Sequence, residues 1–175
     1  MNAMQKRITE GLRMEAIWHT QHIRQGRIIW EERERNLIVD QGLAYMLGSA
    51  LDSSIPKIPN FFVGIYKANR APLAADTGAS YPGDATEGTE YSEATRPAYA
   101  GVLNPGPPVL INNTAARAEF TFTSSITVYG GFMISLSAKG IGGGTLINAK
   151  AFAVPRNPIA TDQIRISIEI GLAGV

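Results

Sequence analysis

Residues 118–123, Ala-Glu-Phe-Thr-Phe-Thr, and residues 165–170, Arg-Ile-Ser-Ile-Glu-Ile, decide the fold class of this chain. Both stretches alternate polar with apolar side chains, which is the period of a β-strand with one face buried and the other in water. Two sheets made of such strands can bury their apolar faces against each other. The sequence therefore predicts a mainly all-β chain folded as an antiparallel β-sandwich.

Further strands are predicted on either side of the two stretches. Residues 14–23 and 27–33 flank a Gln-Gly turn and are typical of a hairpin. The remaining predicted strands lie at 61–66, 109–111, 126–135 and 145–154. The total is about eight strands, which is the number found in a jelly-roll sandwich.

One short α-helix is predicted at residues 40–51. Asp40 is a favourable N-cap residue, and Pro56 prevents the helix from continuing much further. The apolar stripe expected on this helix comprises Leu43, Met46, Leu47 and Ala50. A stripe of this kind normally faces the protein core.

Composition limits the possible partners and the number of domains. The chain has 175 residues, of which 45% are hydrophobic, and this suits a single β-sandwich domain at 14–175 preceded by a flexible N-terminal arm at 1–13. The formal net charge of +1 predicts no nucleic-acid partner and no anionic membrane partner. Because the chain has no cysteine, its stability comes from packing or assembly rather than from disulfides.

The segment 69–108 differs from the rest of the chain because it is rich in proline, alanine, glycine and acidic residues. It is predicted to be a long loop, too polar for the core, and long loops of this kind commonly bind partners. Tyrosine and arginine are enriched at protein interfaces. The candidate interface residues in the loop and the arm are Lys6, Arg7, Tyr81, Tyr91, Arg96 and Tyr99. An equally good alternative is that Tyr91 and Tyr99 anchor the loop onto the sandwich.

No catalytic or cofactor-binding arrangement stands out. The glycine-rich run 140–145 superficially resembles a phosphate loop, but strands flank it and no Lys-Ser/Thr pair follows, so a hairpin turn is expected. His19 and His22 are three residues apart, which places them on opposite faces of a strand and favours structural roles over a metal site. We therefore expect no enzyme activity, no cofactor and no metal.

Several segments together resemble the small virion proteins of tailed bacteriophages, in particular the head decoration or cement proteins of short-tailed phages. The resemblance extends over about residues 14–171 and depends on the order of its segments. These segments are 27–32 (Arg-Ile-Ile-Trp-Glu-Glu), 36–43 (Asn-Leu-Ile-Val-Asp-Gln-Gly-Leu), 62–66 (Phe-Val-Gly-Ile-Tyr), 91–99 (Tyr-Ser-Glu-Ala-Thr-Arg-Pro-Ala-Tyr), 126–132 (Ile-Thr-Val-Tyr-Gly-Gly-Phe) and 143–147 (Gly-Gly-Thr-Leu-Ile).

The resemblance implies a jelly-roll-like sandwich that is made in the host bacterial cytoplasm and binds the outer surface of the assembled head. The implied partners are the major capsid protein and further copies of the chain, as a homodimer or homotrimer. Two alternatives stay open. A tail or baseplate component would share the fold, and a carbohydrate-binding module would use exposed tyrosines such as Tyr81, Tyr91 and Tyr99.

Overall fold

The computed structural model describes the backbone of residues 12–174 and the side chains of residues 14–171. It confirms the predicted fold class, because eleven strands form two antiparallel sheets that enclose a common core. Eight of these strands correspond to predicted ones, and the other three have only two or three residues each. The jelly-roll connectivity stays a prediction.

Sheet 1 is built around the pairing of the first and last strands. Its order is β2-β1-β11-β7-β6, and β8 pairs with the opening half of β11 while β7 pairs with a later part of the same edge. The strands are β1 (Leu12–Arg24), β2 (Arg27–Arg35), β6 (Val102–Asn104), β7 (Leu110–Asn112), β8 (Ala118–Thr121) and β11 (Gln163–Gly174). The long central ladder between β1 and β11 fixes which side chains face inward.

Sheet 2 faces sheet 1 and has the order β3-β10-β9-β4-β5. Its strands are β3 (Leu37–Ile38), β4 (Phe62–Tyr66), β5 (Glu87–Gly88), β9 (Val128–Ile134) and β10 (Leu146–Arg156). Helix α1 (Asp40–Leu51) packs against β10, and a second, four-residue helix, α2 (Tyr81–Asp84), lies in the segment predicted to be a loop.

Trp18 occupies the centre of the core between the sheets and is fully buried. Its indole Nε1–H donates a hydrogen bond to Asn148 Oδ1 on sheet 2 at 3.2 Å. Opposite the ring lies Gly131, where a Cβ atom would come within 2.6 Å of the indole. At the neighbouring Gly130 a Cβ atom would come within 2.5 Å of the Tyr66 hydroxyl. Both glycines of β9 are therefore required because the strand backbone lies directly against buried side chains.

The outer face of sheet 2 is also buried, and this explains why β4 and β9 lack polar alternation. Tyr66, Phe132 and Ile134 point away from the central core and pack against Tyr81 and Ala85 of the 69–108 segment. The expectation that this segment is too polar for the core is therefore wrong. It includes α2, β5 and β6, its Tyr81 belongs to a second apolar layer, and its Tyr91 lies in the main core.

Helix α1 lies where it was predicted, but its orientation and its cap differ from the prediction. Val39 occupies the N-cap position, and Asp40 is the first helical residue, with its backbone N–H donating to the Ala74 carbonyl. The side of the helix that faces the sandwich carries Gly42, whose missing side chain lets the helix backbone approach Ile147. Of the predicted apolar stripe, Met46 packs against the core, whereas Leu43, Leu47 and Ala50 are exposed.

Candidate protein-binding surface

Arg96 and Glu87 form a buried bidentate ion pair that fixes the 69–108 segment. Arg96 Nε and Nη2 each donate to a different oxygen of the Glu87 carboxylate at 2.7 Å, and both side chains are almost completely buried. The guanidinium also donates to the carbonyls of Leu136 and Ile141 at 2.7 and 2.8 Å. The Gly140 backbone N–H donates to Glu87 at 2.7 Å, so the glycine-rich connection between antiparallel β9 and β10 holds a carboxylate of its own chain.

Two of the tyrosines predicted as interface residues, Tyr81 and Tyr91, are buried in the protein interior. Tyr81 is fully buried between Tyr66 and Phe132, and Tyr91 packs edge-on against Phe120 with a centroid distance of 5.0 Å. Burial raises the pKa of the Tyr81 and Tyr91 hydroxyls well above their ordinary range. A surface role for Tyr81, Tyr91 and Arg96 is therefore wrong, since none of these side chains is accessible.

Tyr99 supports the anchoring alternative that the sequence left open. Its side chain is half-buried, and its hydroxyl donates to the Ile168 carbonyl of β11 at 3.2 Å. Burial raises the pKa of this hydroxyl as well. The remaining two predicted interface residues, Lys6 and Arg7, lie outside the described residues.

Lys139 provides a second anchor beside Tyr91. Its ammonium group donates to the carbonyls of Thr89, Tyr91 and Glu93 at 2.8 to 3.3 Å and lies 4.2 Å from the Tyr91 ring centroid. An ammonium group with several carbonyl partners over an aromatic face is well stabilised. The segment that looked like a binding loop is thus held on the sandwich by two internal cations.

The two histidines lie on opposite faces of β1, as predicted from their spacing. His19 is partly exposed, whereas His22 is buried with its Nε2 2.9 Å from Asp162 Oδ2. Arg24 also donates to Asp162, as does the Ile159 backbone N–H. Burial lowers the pKa of His22 despite the neighbouring carboxylate. Burial alone would raise the pKa of Asp162, but the hydrogen bonds from Arg24, Ile159 and His22 outweigh it and lower that pKa strongly.

The lowered pKa of His22 makes stability depend on pH. The neutral imidazole is favoured in the folded state, so its contribution is fully present above the unfolded pKa of about 6.5 and is lost as pH falls towards the folded pKa. We expect the free energy of unfolding, measured with urea, to fall more steeply between pH 7.5 and 5 in the wild type than in His22→Gln. Equal slopes in the two proteins would contradict this assignment.

Helix α1 presents an exposed row of leucines to solvent. Leu43, Leu47 and Leu51 are four residues apart and therefore share one face, and they are 42%, 65% and 80% exposed. Apart from Asp40 in its first turn, the helix carries no charged residue. An apolar stripe normally faces the core of a globular protein, so a row of leucines turned outward is a candidate contact surface. We call these three residues the leucine face.

A shallow apolar groove lies beside the leucine face. Its volume is about 220 Å³, and it lies where α1, the start of β1, the end of β11 and the β6–β7 hairpin meet. Its lining includes Met14, Met46, Leu103, Val109, Leu110 and Ile170. The hairpin belongs to a run of residues, 97–116, without a single charged side chain or histidine. Apolar surface therefore continues from the helix across the groove to the edge of sheet 1.

Sequence reasoning placed Leu43 and Leu47 on the apolar stripe but expected that stripe to face the core, and it did not include Leu51. The signal that could have corrected it is the pair Gly42 and Tyr45 on the other side of the helix, since a small residue permits close approach to a sheet. The charge-free run 97–116 was also visible in the sequence, although its exposure was not.

The described part of the chain has neither a metal-binding cluster nor a membrane-spanning helix. Within residues 12–174 no three His, Cys, Asp or Glu side chains cluster as a metal site would require. No described helix has the length and apolar character needed to cross a membrane.

Comparison with known proteins adds no assignment to this geometry. No protein-family model matches the chain. No curated protein matches it either. The likeness to phage virion proteins stays a prediction, and the exposed apolar surface is the observation that bears on function.

Proposed function

We propose that the chain is a bacteriophage head decoration protein that binds the outer surface of the assembled head and stabilises contacts between major capsid protein subunits. The leucine face is the observation that carries this proposal. Three leucines on one uncharged helix face give a compact apolar patch of the kind that marks a protein contact. The helix that bears them is held rigidly on β10 through Gly42, so the patch is already formed before a partner binds.

Binding of this kind stabilises a shell by linkage. A protein that binds the assembled lattice but not the free subunits stabilises the lattice at each site by RT ln(1 + L/Kd), where L is its free concentration and Kd its dissociation constant. Symmetric repetition over the shell places many identical copies on it, so a modest contact at each site has a large total effect. The mechanism needs a folded protein with an accessible contact surface, and the leucine face is the surface proposed for it.

The structure argues against a carbohydrate-binding module but does not distinguish a tail component from a decoration protein. A carbohydrate-binding module would stack sugar rings on exposed aromatic side chains, but Tyr81 and Tyr91 are buried and Tyr99 is half-buried. A tail or baseplate component would use the same fold and a similar contact surface. Copy number in purified particles separates it from a decoration protein, because a shell-wide protein is present in a simple ratio to the major capsid protein.

Binding to assembled heads tests the proposal through the leucine face. Leu47→Asp places a charge in the centre of the patch, and we expect its affinity for decoration-free heads to fall at least about 30-fold, the loss typical of an interface hot spot. The measurement is co-sedimentation over a range of protein concentrations. Free capsid subunits serve as the second target, and the wild type should bind them much more weakly than heads.

Ile28→Asp is the matched control. Ile28 is 52% exposed and pairs with Ile23, near the end of sheet 1 where Gln163 begins β11. That end is about 26 Å along β11 from the groove at Gly171. The affinity of Ile28→Asp for heads should stay within about twofold of the wild type, because a residue outside an interface contributes little to binding. Unchanged binding by Leu47→Asp, or equal losses in both variants, would reject the proposed surface.

A further inference from the structure

The two edges of sheet 1 are protected to very different degrees. The β2 edge carries Arg27, Glu31, Arg33 and Arg35, and charges on an edge strand discourage pairing with other strands. The β6 edge has the sequence Val-Leu-Asn and no charge. Among the described residues, β6 pairs with β7 on one side only, which leaves the backbone groups of its other side free for a further strand.

The side chains of β6 are exposed on both faces of the strand. Val102 is 64% exposed and Leu103 is 61% exposed, although neighbouring residues of a strand point to opposite faces. A strand that packs on a core would bury one of them. Neither face of β6 is covered, so its apolar side chains are available to a partner that pairs along the edge and contacts both faces.

Charge indicates which partner suits this edge. In a twofold interface each residue meets its own counterpart or a close neighbour of it, so any charged residue near the axis would oppose a like charge. Residues 97–116 contain none, and the hairpin is therefore electrostatically compatible with itself. A partner recognised by charge would find no complementary group on the hairpin.

We propose that β6 pairs antiparallel with β6 of a second copy of the chain, about a twofold axis at Leu103. Sheet 1 then continues from one copy into the other through its uncharged edge. Two three-residue strands alone bury much less than the roughly 800 Å² per partner of a standard interface. The adjoining groove supplies further apolar contact, because Leu103 and Val109 line it together with Met14 and Met46.

This pairing leaves the leucine face accessible. Leu47 lies about 100° further round α1 than Met46, the helix residue that lines the groove. A dimer would therefore carry two leucine faces in a fixed relation. The self-pairing itself does not depend on the proposed role on phage heads, and it is tested on the purified chain alone.

The mass of the chain in solution gives the first test. By light scattering after size-exclusion chromatography, we expect about twice the monomer mass of 18.8 kDa at micromolar concentrations. Leu103→Lys should raise the dissociation constant at least tenfold and give monomers at the same concentration, while Ile28→Lys should remain dimeric. Far-ultraviolet circular dichroism spectra that match the wild type confirm that the variants are folded, since the unfolding midpoint itself depends on dimerisation. A monomeric wild type, a trimer, or a dimer unaffected by Leu103→Lys would overturn the proposal.

A cysteine crosslink gives the second test. Because the chain has no native cysteine, only the introduced thiol can form a disulfide. On a twofold axis at Leu103, the Cα atoms of the two Leu103 residues would be about 4.5 to 5.5 Å apart, which suits a disulfide. Leu103→Cys should form a covalent dimer on mild oxidation, and Ile28→Cys should form much less. Equal crosslinking of the two variants would overturn the pairing even if head binding were retained.

Discussion

Arg96→Met should lower the free energy of unfolding by about 3–5 kcal/mol, the range for breaking a buried ion pair from one side. The substitution leaves the Glu87 carboxylate buried with Gly140 N–H as its remaining hydrogen-bond donor among those described. It also leaves the carbonyls of Leu136 and Ile141 without their donor. Urea denaturation followed by tryptophan fluorescence measures the loss, and hydrogen exchange should show it concentrated in residues 87–96 and 136–141.

Arg165→Met is the matched control for that experiment. Arg165 pairs with Glu119 on the outer face of sheet 1, where both side chains are about 40% exposed. Solvent-exposed ion pairs contribute about 1 kcal/mol or less, so the control should change stability little. Replacing both partners, with Arg96→Met and Glu87→Leu together, should recover part of the loss because no buried charge remains unpaired. Similar losses for Arg96→Met and Arg165→Met would contradict the anchoring role.

Gly42→Ala should destabilise the fold by at least about 2 kcal/mol, even though alanine is the better helix former by about 1 kcal/mol. A Cβ atom at this position would lie 2.2 Å from the Ile147 carbonyl oxygen, and that oxygen belongs to the backbone of β10. No side-chain rotation relieves such a contact, so α1 must move away from the sheet. The measurement is again urea denaturation, with circular dichroism reporting on the helix.

Gly48→Ala is the control in the same helix. Its Cβ atom would meet Ile55 Cγ1 at 3.2 Å, and Ile55 is a partly exposed side chain that can shift by the few tenths of an ångström required. The helix-propensity gain should then leave stability within about 1 kcal/mol of the wild type. If Gly42→Ala were as harmless as Gly48→Ala, close backbone packing would not be what sets the orientation of α1.

The strands could be predicted from the sequence because their signals are local. The alternation in β8 and β11 reports a strand with one buried face, and the structure pairs these two strands directly. The orientation of α1 could not be predicted in the same way. Its apolar residues form a stripe in either orientation, and only the tertiary contact between Gly42 and Ile147 determines which side meets the sheet.

The burial of the predicted interface residues could not be predicted from the sequence either. Arg96 and Tyr91 belong to residue types that are enriched at interfaces, and composition alone placed them on the surface. Burying Arg96 requires a carboxylate and two carbonyls from residues 87, 136 and 141, which come together only in the folded chain. Polarity is therefore a poor guide to exposure when a segment supplies partners for its own charges.

The pairing of β1 with β11 has a consequence for how the chain reaches its fold. Trp18 lies opposite Ile168, so the central ladder of sheet 1 joins residues 150 positions apart. Contacts this distant along the chain make folding slow, because a large loop must close before the β1–β11 ladder forms. During synthesis β1 can pair with β2 on one side, but its other edge stays unpaired until β11 leaves the ribosome. Folding yield should therefore respond more to temperature and chaperone supply than the final stability suggests.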